Sequence, residues 1–415
     1  RGSCRDGQTL TTIETKTMKL KSLICSVGIL AGVTLTLANP PSGDAREVKL
    51  KGENKRKAKV ETPKSDKNQA KVQLAILLDT SGSMSGLIEQ AKTQLWSIVN
   101  TFIQAKQNGK VPFVEVALYE YGNDGLNAEN HWIRQIQPLT RDLDKISEEL
   151  FALRTNGGSE FCGAVIKRAV GDLKWDTSPN TYKAIFVAGN EPFNQGPVDP
   201  ASSCREAIGN GVIVNSIHCG AEQVGINTGW KAGPLLADGK YLVIDHNKAV
   251  VHVDAPQDKE ILKWNTRLNG TYVPIGQIGE RRIEIQQAQD ELAEGAKGNA
   301  IQSRARTKAS ANYWNGNWDL VDACIVKDFD WGKIKEEDLP EEMKKMTLAQ
   351  RKAHIATKRA ERVTCQKKIA GLTKARGEFV KAKLKEMGED SEDTLDAVVV
   401  QTVRQQAEAK GYSFE

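Results

Sequence analysis

The chain has 415 residues, of which 39% are hydrophobic and 27% charged, with a formal net charge of +5. That length suits one sizeable α/β domain plus a second region, and the mild positive excess, spread over several segments, argues against nucleic acid as the partner. Seven cysteines without a CxxC or His-spaced pattern argue against a structural zinc site.

Met18, followed by Lys19, Lys21 and an apolar run from Leu23 to Ala38, has the charged-then-apolar layout of a secretory signal peptide. Residues 1–17 then read as an upstream extension and residues 18–38 as the signal, with small residues at Thr36 and Ala38, or at Gly43 and Ala45, marking the cleavage site. The run is close to the roughly 17 residues needed to span a bilayer, which makes an N-terminal membrane anchor the alternative. Either reading places the chain outside the cytoplasm, in the periplasm or cell envelope. Disulfides persist there. Of the five remaining cysteines, Cys162 with Cys204 and Cys324 with Cys365 are the pairings that keep each bridge inside one predicted unit, and the odd thiol stays free or pairs between chains.

Residues 39–71 form a basic linker. Over residues 46–71 ten Lys or Arg stand against four acids with almost no large apolar residue, too little burial to offset the entropy of ordering. Contact with an anionic envelope surface is the alternative use of such a run.

From Val72 the pattern changes. VQLAILLD is a near-continuous apolar run, as expected of a strand buried on both faces of a parallel sheet. A helix is predicted from Gly86 to about Gln107, where Leu87, Ile88, Leu95, Ile98, Val99 and Phe102 recur near the helical period. Strands follow at VEVALYEYG and HWIRQIQPL, helices over residues 142–153 and 160–173, a strand at KAIFVAG, a helix over 201–208, a strand at VIVNSIHCG, a helical turn over 233–237 and a last strand at KYLVID. The alternation implies right-handed crossovers and a mostly parallel sheet with helices on both faces, spanning residues 72–256. Residues 257–415, rich in Lys, Glu, Gln and Ala, read as an α-helical region without strands. Its longest helix, of the coiled-coil kind, runs from about Pro340 towards Met387, with a kink or hairpin at Gly371 and Gly377. Trp314 and Trp318 fall on one helix face as core aromatics.

Asp79, Ser81 and Ser83 stand at the carboxyl end of the first strand, where open α/β sheets bind ligands. Alternate side chains of one tight loop, turned by Gly82, converge as hard oxygen donors of the kind that suits Mg²⁺. The blander use of the same residues is a turn and helix cap.

AILLDTSGSM resembles the first metal-binding motif, DxSxS, of von Willebrand factor A (vWA) domains, and the order of strands and helices up to about residue 254 is similar. With the segments DGLN, TNGGSEFCG, GNEPFNQG and INTGW, the whole chain further resembles exported bacterial vWA proteins with a helical tail. The resemblance implies a metal held by Asp79, Ser81, Ser83 and Thr155, the last in the RTNGGSEFCG loop. The family's third element is an aspartate just after a central strand. Gly189 stands in its place within IFVAGNEPF, leaving Asn190 or Glu191 to supply the oxygen, with Glu191 the acid in the expected set. The family further implies a protein partner whose Asp or Glu completes the shell of the Mg²⁺.

Glu120 and Asp124 fall near the same sheet edge and read as solvated loop acids, and His218, ending a buried strand, as a core or rim histidine. GxSxG, HExxH, Walker and GxGxxG motifs are all missing. The expected function is therefore an exported, metal-dependent binding module for adhesion or assembly, not an enzyme. A metal-free vWA scaffold whose helical tail carries the assembly role is the alternative, and a hydrolase the third choice.

Overall fold

The computed structural model describes residues 70–86, 96, 98–244, 253–296, 299–388 and 395–414, all within one compact unit. The upstream extension, the signal peptide and all but the end of the basic linker lie outside the described residues, as does most of the helix expected after Gly86.

Strand β1 (Lys71–Asp79) is the middle of the sheet. It pairs in parallel with β3 (Phe113–Tyr121) on one side and β5 (Tyr182–Gly189) on the other, and past its first residue it is buried throughout. Outward from β5 come β6 (Ile213–Cys219) and β7 (Tyr241–Ile244), both parallel; outward from β3 comes β4 (Ile133–Thr140), antiparallel with an irregular register. The six-stranded order is β4-β3-β1-β5-β6-β7. Side chains alternate across each strand. Leu74, Ile76, Leu78 and Phe186 enter one core, while Ala75, Leu77, Tyr119 and Tyr121 enter the other. Helix α1 (Leu143–Ala152) covers the first face; α2 (Cys162–Asp172) and α3 (Pro200–Gly209) cover the second. The mostly parallel α/β sandwich expected from the alternation is thus the observed one. Two short helices, α4 (Glu222–Asn227) and α5 (Ala232–Leu235), connect β6 to β7.

Several expectations are corrected. The helix predicted to reach Gln107 stops at residue 101, tightens into a 3₁₀ turn at Phe102–Gln104 and gives way to strand β2, Ala105–Gln107. Its partner is a strand near the far end of the chain, β8 (Tyr412–Phe414), antiparallel to it. Strand structure therefore does not stop at residue 256. With helix α12 (Leu395–Glu408), β8 belongs to the sheet's own core: Val399, Val403, Ala407 and Tyr412 are buried beside Leu74 and Phe102. The Gln406 amide bonds Asn215 Oδ1 at 2.8 Å and accepts from Tyr182 Oη at 2.8 Å. The thiols of Cys162, Cys204, Cys219, Cys324 and Cys365 are all free, so neither expected disulfide is present. Cys324 and Cys365 pack in different apolar clusters, and Cys162 Sγ lies 3.6 Å from Tyr121 Oη.

Between β7 and α12 the chain is helical, as expected: α6 (Asp258–Asn269), α7 (Gly276–Gly295), α8 (Ala300–Lys308), α9 (Leu320–Ala323), α10 (Glu341–Lys344) and α11 (Leu348–Glu386). The long helix starts later than predicted, at a capping box in which Thr347 and Gln350 satisfy each other's backbone N–H groups. It runs unbroken for 39 residues, about 58 Å at 1.5 Å per residue. Gly371 and Gly377, both on its exposed side, do not split it. Residues 311–319 are not helical, so Trp314 and Trp318 share no helix face; Trp318 instead stacks on Tyr272 at 5.7 Å. Buried Arg304 ties this region to the sheet, reaching Asp144 of α1 at 2.8 Å and Asp290 of α7 at 2.6 Å.

Tyr412→Ala should destabilise the sheet domain by about 3–5 kcal/mol, the usual cost of emptying a buried aromatic site, because its ring packs near Phe102 and its hydroxyl bonds the Lys71 carbonyl at 2.6 Å. Urea unfolding of wild type and variant measures this; an unchanged midpoint would mean that the strand contributes nothing to the core.

Candidate functional site

At the carboxyl edge of the sheet the end of β1 is held by its neighbours. The Thr80 N–H donates to the Tyr121 carbonyl at 2.9 Å, and the Thr80 carbonyl accepts from Asn156 N at 3.0 Å. The chain then tightens into a 3₁₀ turn, Gly82–Gly86, anchored by fully buried Met84. Asp79 is fully buried. Its Oδ1 accepts the Ser81 N–H at 2.7 Å, while its Oδ2 is buried without a hydrogen-bond partner. Ser81 and Ser83 share a 2.8 Å hydroxyl contact, and Ser83 Oγ donates to Asn190 Oδ1 at 3.0 Å. Asn190 in turn reaches the Glu191 carboxylate at 3.4 Å. The loop at the end of β5 is fixed by Trp230, whose Nε1 donates to the Glu191 carbonyl at 2.7 Å.

The architecture is the one that the vWA resemblance implies. The mostly parallel sheet carries helices on both faces, and the DTSGS loop leaves the carboxyl end of its central strand. Among solved structures with detectable likeness are the conserved hypothetical protein BatB from Bacteroides thetaiotaomicron (15% identity, TM-score 0.34, covering 42% of this chain and 90% of that one), the SpRpn10 VWA domain (19%, 0.33, 42% and 88%) and an aerotolerance-related membrane protein from Bacteroides fragilis NCTC 9343 (15%, 0.31, 42% and 92%). No protein-family model and no curated protein matches the chain.

At this edge of the sheet the structure gathers Asp79, Ser81, Ser83, Asn190 and Glu191, and holds Thr155 one step further out. Thr155 Oγ1 is 2.8 Å from Ser85 Oγ, not on the Ser81–Ser83 pair. Glu120 faces away into its own pair, accepting from the Thr80 hydroxyl at 3.2 Å and from Arg134 at 2.5 Å. Asp124 is an exposed loop acid. His218 is buried beside the Trp230 ring at 5.5 Å, and burial lowers its pKa.

Sequence reading missed Glu160. It sits just before α2 in the same loop as Thr155, is 5% exposed, and its side chain lies against Gly122 beside Asp79. An acid directly after two glycines and a serine, ahead of a buried helix, was the available signal. Burial, opposed by the Ser81 N–H and reinforced by the charge of Glu160, raises the Asp79 pKa to about 7; burial, opposed by Ser81 and reinforced by Glu191, raises that of Glu160 to about 7.

Gly189 is explained by crowding. A Cβ on it would lie 2.6 Å from Tyr121 Oη, 3.1 Å from the Trp230 ring and 3.2 Å from Asp79 Cβ. Tyr121 Oη itself is held by the Ala188 carbonyl at 2.9 Å. The two aromatic side chains fill the space that an aspartate would need.

Two outcomes follow from this geometry. Gly189→Asp, which restores the family's acid by sequence, should destabilise the protein by about 1–3 kcal/mol, as overpacking does, with no gain in affinity for Mg²⁺ by calorimetry; a stable variant with tighter binding would refute the steric account. In chelator the stability should fall as pH rises from about 4 to about 7, because the folded state keeps protons on Asp79 and Glu160 that the unfolded chain has already released. Thermal melts at pH 5 and 8 read the slope, and Asp79→Asn should flatten it; a wild-type slope that survives in that variant counts against the assignment.

Proposed function

We propose that the chain is an exported binding module in which the DTSGS loop holds Mg²⁺ and a protein partner's Asp or Glu completes the ion's shell. The observation that carries this reading is Asp79 Oδ2, a fully buried carboxylate oxygen with no hydrogen-bond partner, beside two serine hydroxyls bonded only to neighbours in the same site. Buried polar atoms are almost always satisfied, and a carboxylate oxygen of this kind flanked by hydroxyls is one that a cation would complete. The donor set fits Mg²⁺: a carboxylate and hydroxyls are hard ligands, and this ion keeps several waters instead of demanding an all-protein cage. Among the described residues no three His, Cys, Asp or Glu side chains are gathered as a ready-made site, so hydroxyls, water and the partner's carboxylate would fill the remaining places. Asp79 would bind the ion, Ser81 and Ser83 would orient its shell, and Glu191 would act at the rim, with Thr155 steadying the loop through Ser85.

The role is adhesion or assembly at the cell envelope, reached through the signal-like segment at Met18 to Ala38. No helix of the described residues is long and apolar enough to cross a membrane. A second reading, a metal-free scaffold, draws on the aromatic wall at Gly189.

Calorimetry with Mg²⁺ and Mn²⁺ separates the two. Wild type should bind and Asp79→Ala should lose at least ten-fold in affinity, and capture of envelope proteins on the full chain should need Mg²⁺, be reversed by chelator and be lost in the same variant. Capture that is indifferent to chelator and to Asp79→Ala would favour the scaffold.

A further inference from the structure

Among the described residues, the other buried acids all have a basic partner. Glu120 is paired with Arg134; Asp144 with Arg304; Asp290 with Arg304 and Lys308; Asp319 and Asp322 with Arg362. Asp79 and Glu160, 0% and 5% exposed, are the exceptions among the described residues. The charges that act most strongly on each are other acids, and the groups that relieve them are Ser81 and backbone N–H donors. Placing two carboxylates out of water with no counter-charge is costly by several kcal/mol unless something positive joins them.

The two groups are also brought close by design of the backbone. Gly122, at φ +77°, stands between them: a Cβ there would lie 2.9 Å from Asp79 Oδ1 and 2.7 Å from Glu160 Cγ. Only a residue without a side chain lets the β3 edge and the loop before α2 approach this closely. The Glu160 backbone is pinned from the opposite side, its N–H donating to Gln195 Oε1 at 2.8 Å. Ser81 lies at the same point, its N–H on Asp79 and its hydroxyl on Ser83. Glu191 is half-buried, and its loop is held by the Trp230 bond to its carbonyl.

We propose that Glu160 is the second carboxylate of the cation site, supplying from the α2 side the acid that the aromatic wall at Gly189 keeps out. The proposal rests on the metal-binding reading above and adds a ligand to it. Asp79 and Glu160 provide the charge, Ser81 and Ser83 the neutral oxygens, and Glu191 stays at the rim. The site so built takes a hard divalent cation, Mg²⁺ or Mn²⁺.

Mn²⁺ titration of the full chain, by calorimetry, tests this with wild type, Glu160→Gln and Glu191→Gln. Glu160→Gln should weaken binding at least ten-fold, Glu191→Gln less than three-fold. Without added metal, Glu160→Gln should melt at a higher temperature than wild type at pH 8, since it removes a buried like charge, and Mn²⁺ should then raise the melting temperature of wild type and not of this variant. The higher melting temperature shows that the variant folds. Wild-type binding that Glu160→Gln leaves intact, or that Glu191→Gln weakens more, overturns the role of Glu160 while the binding-module reading stands. Absence of any wild-type binding overturns both.

Discussion

The structure depends on placing an ionisable residue at the end of its most buried strand. β1 lies between two parallel neighbours and under helices on both faces, and its last residue, Asp79, is still fully enclosed. A carboxylate there is unfavourable by its surroundings alone. The loop that follows answers with donors: a backbone N–H from Ser81 to one oxygen, serine hydroxyls nearby, and Thr80 tied to the next strand. One oxygen is left over, and the chemistry of the site is the chemistry of that oxygen.

The neighbouring residues make sense as responses to it. Trp230 holds the loop at Glu191, Tyr121 holds the end of β5, and together they take the volume at Gly189. Gly122 opens the other side, where Glu160 comes in. On the reading proposed above, the second acid of the site comes from the loop before α2, not from the end of β5, and loops on a rigid sheet allow this, since each is anchored by its own strand and helix.

Much of the sheet was legible in the sequence because its signals are local. A continuous apolar run marks β1, and amphipathic segments of helical length mark α1, α2 and α3. The DTSGS loop was legible for the same reason: three donors sit within five residues. What escaped reading depends on distant partners. YSF at residues 412–414 has too few residues to declare a strand, and becomes one only because Ala105–Gln107 offers an edge. NYWNGNW carries helical spacing, but Trp314 and Trp318 serve separate neighbours, and Arg141 lies under the Trp314 ring. Glu160 reads as an ordinary acid before a helix until Gly122 and Asp79 are seen against it. Gly189 looks like a lost ligand until Tyr121 and Trp230 show why a side chain has no room.

The contact between Tyr412 and Lys71 joins positions 341 residues apart. During synthesis the first sheet strand therefore emerges long before the segment that closes its core. At 5–20 residues per second the interval is on the order of tens of seconds, far longer than strand and helix formation need. Throughout it the Leu74 and Phe102 face lacks α12 and β8 as its cover. The nascent chain is in that period a long polymer with an unfinished core. The same pairing that locks the finished domain sets the moment before which it cannot be locked.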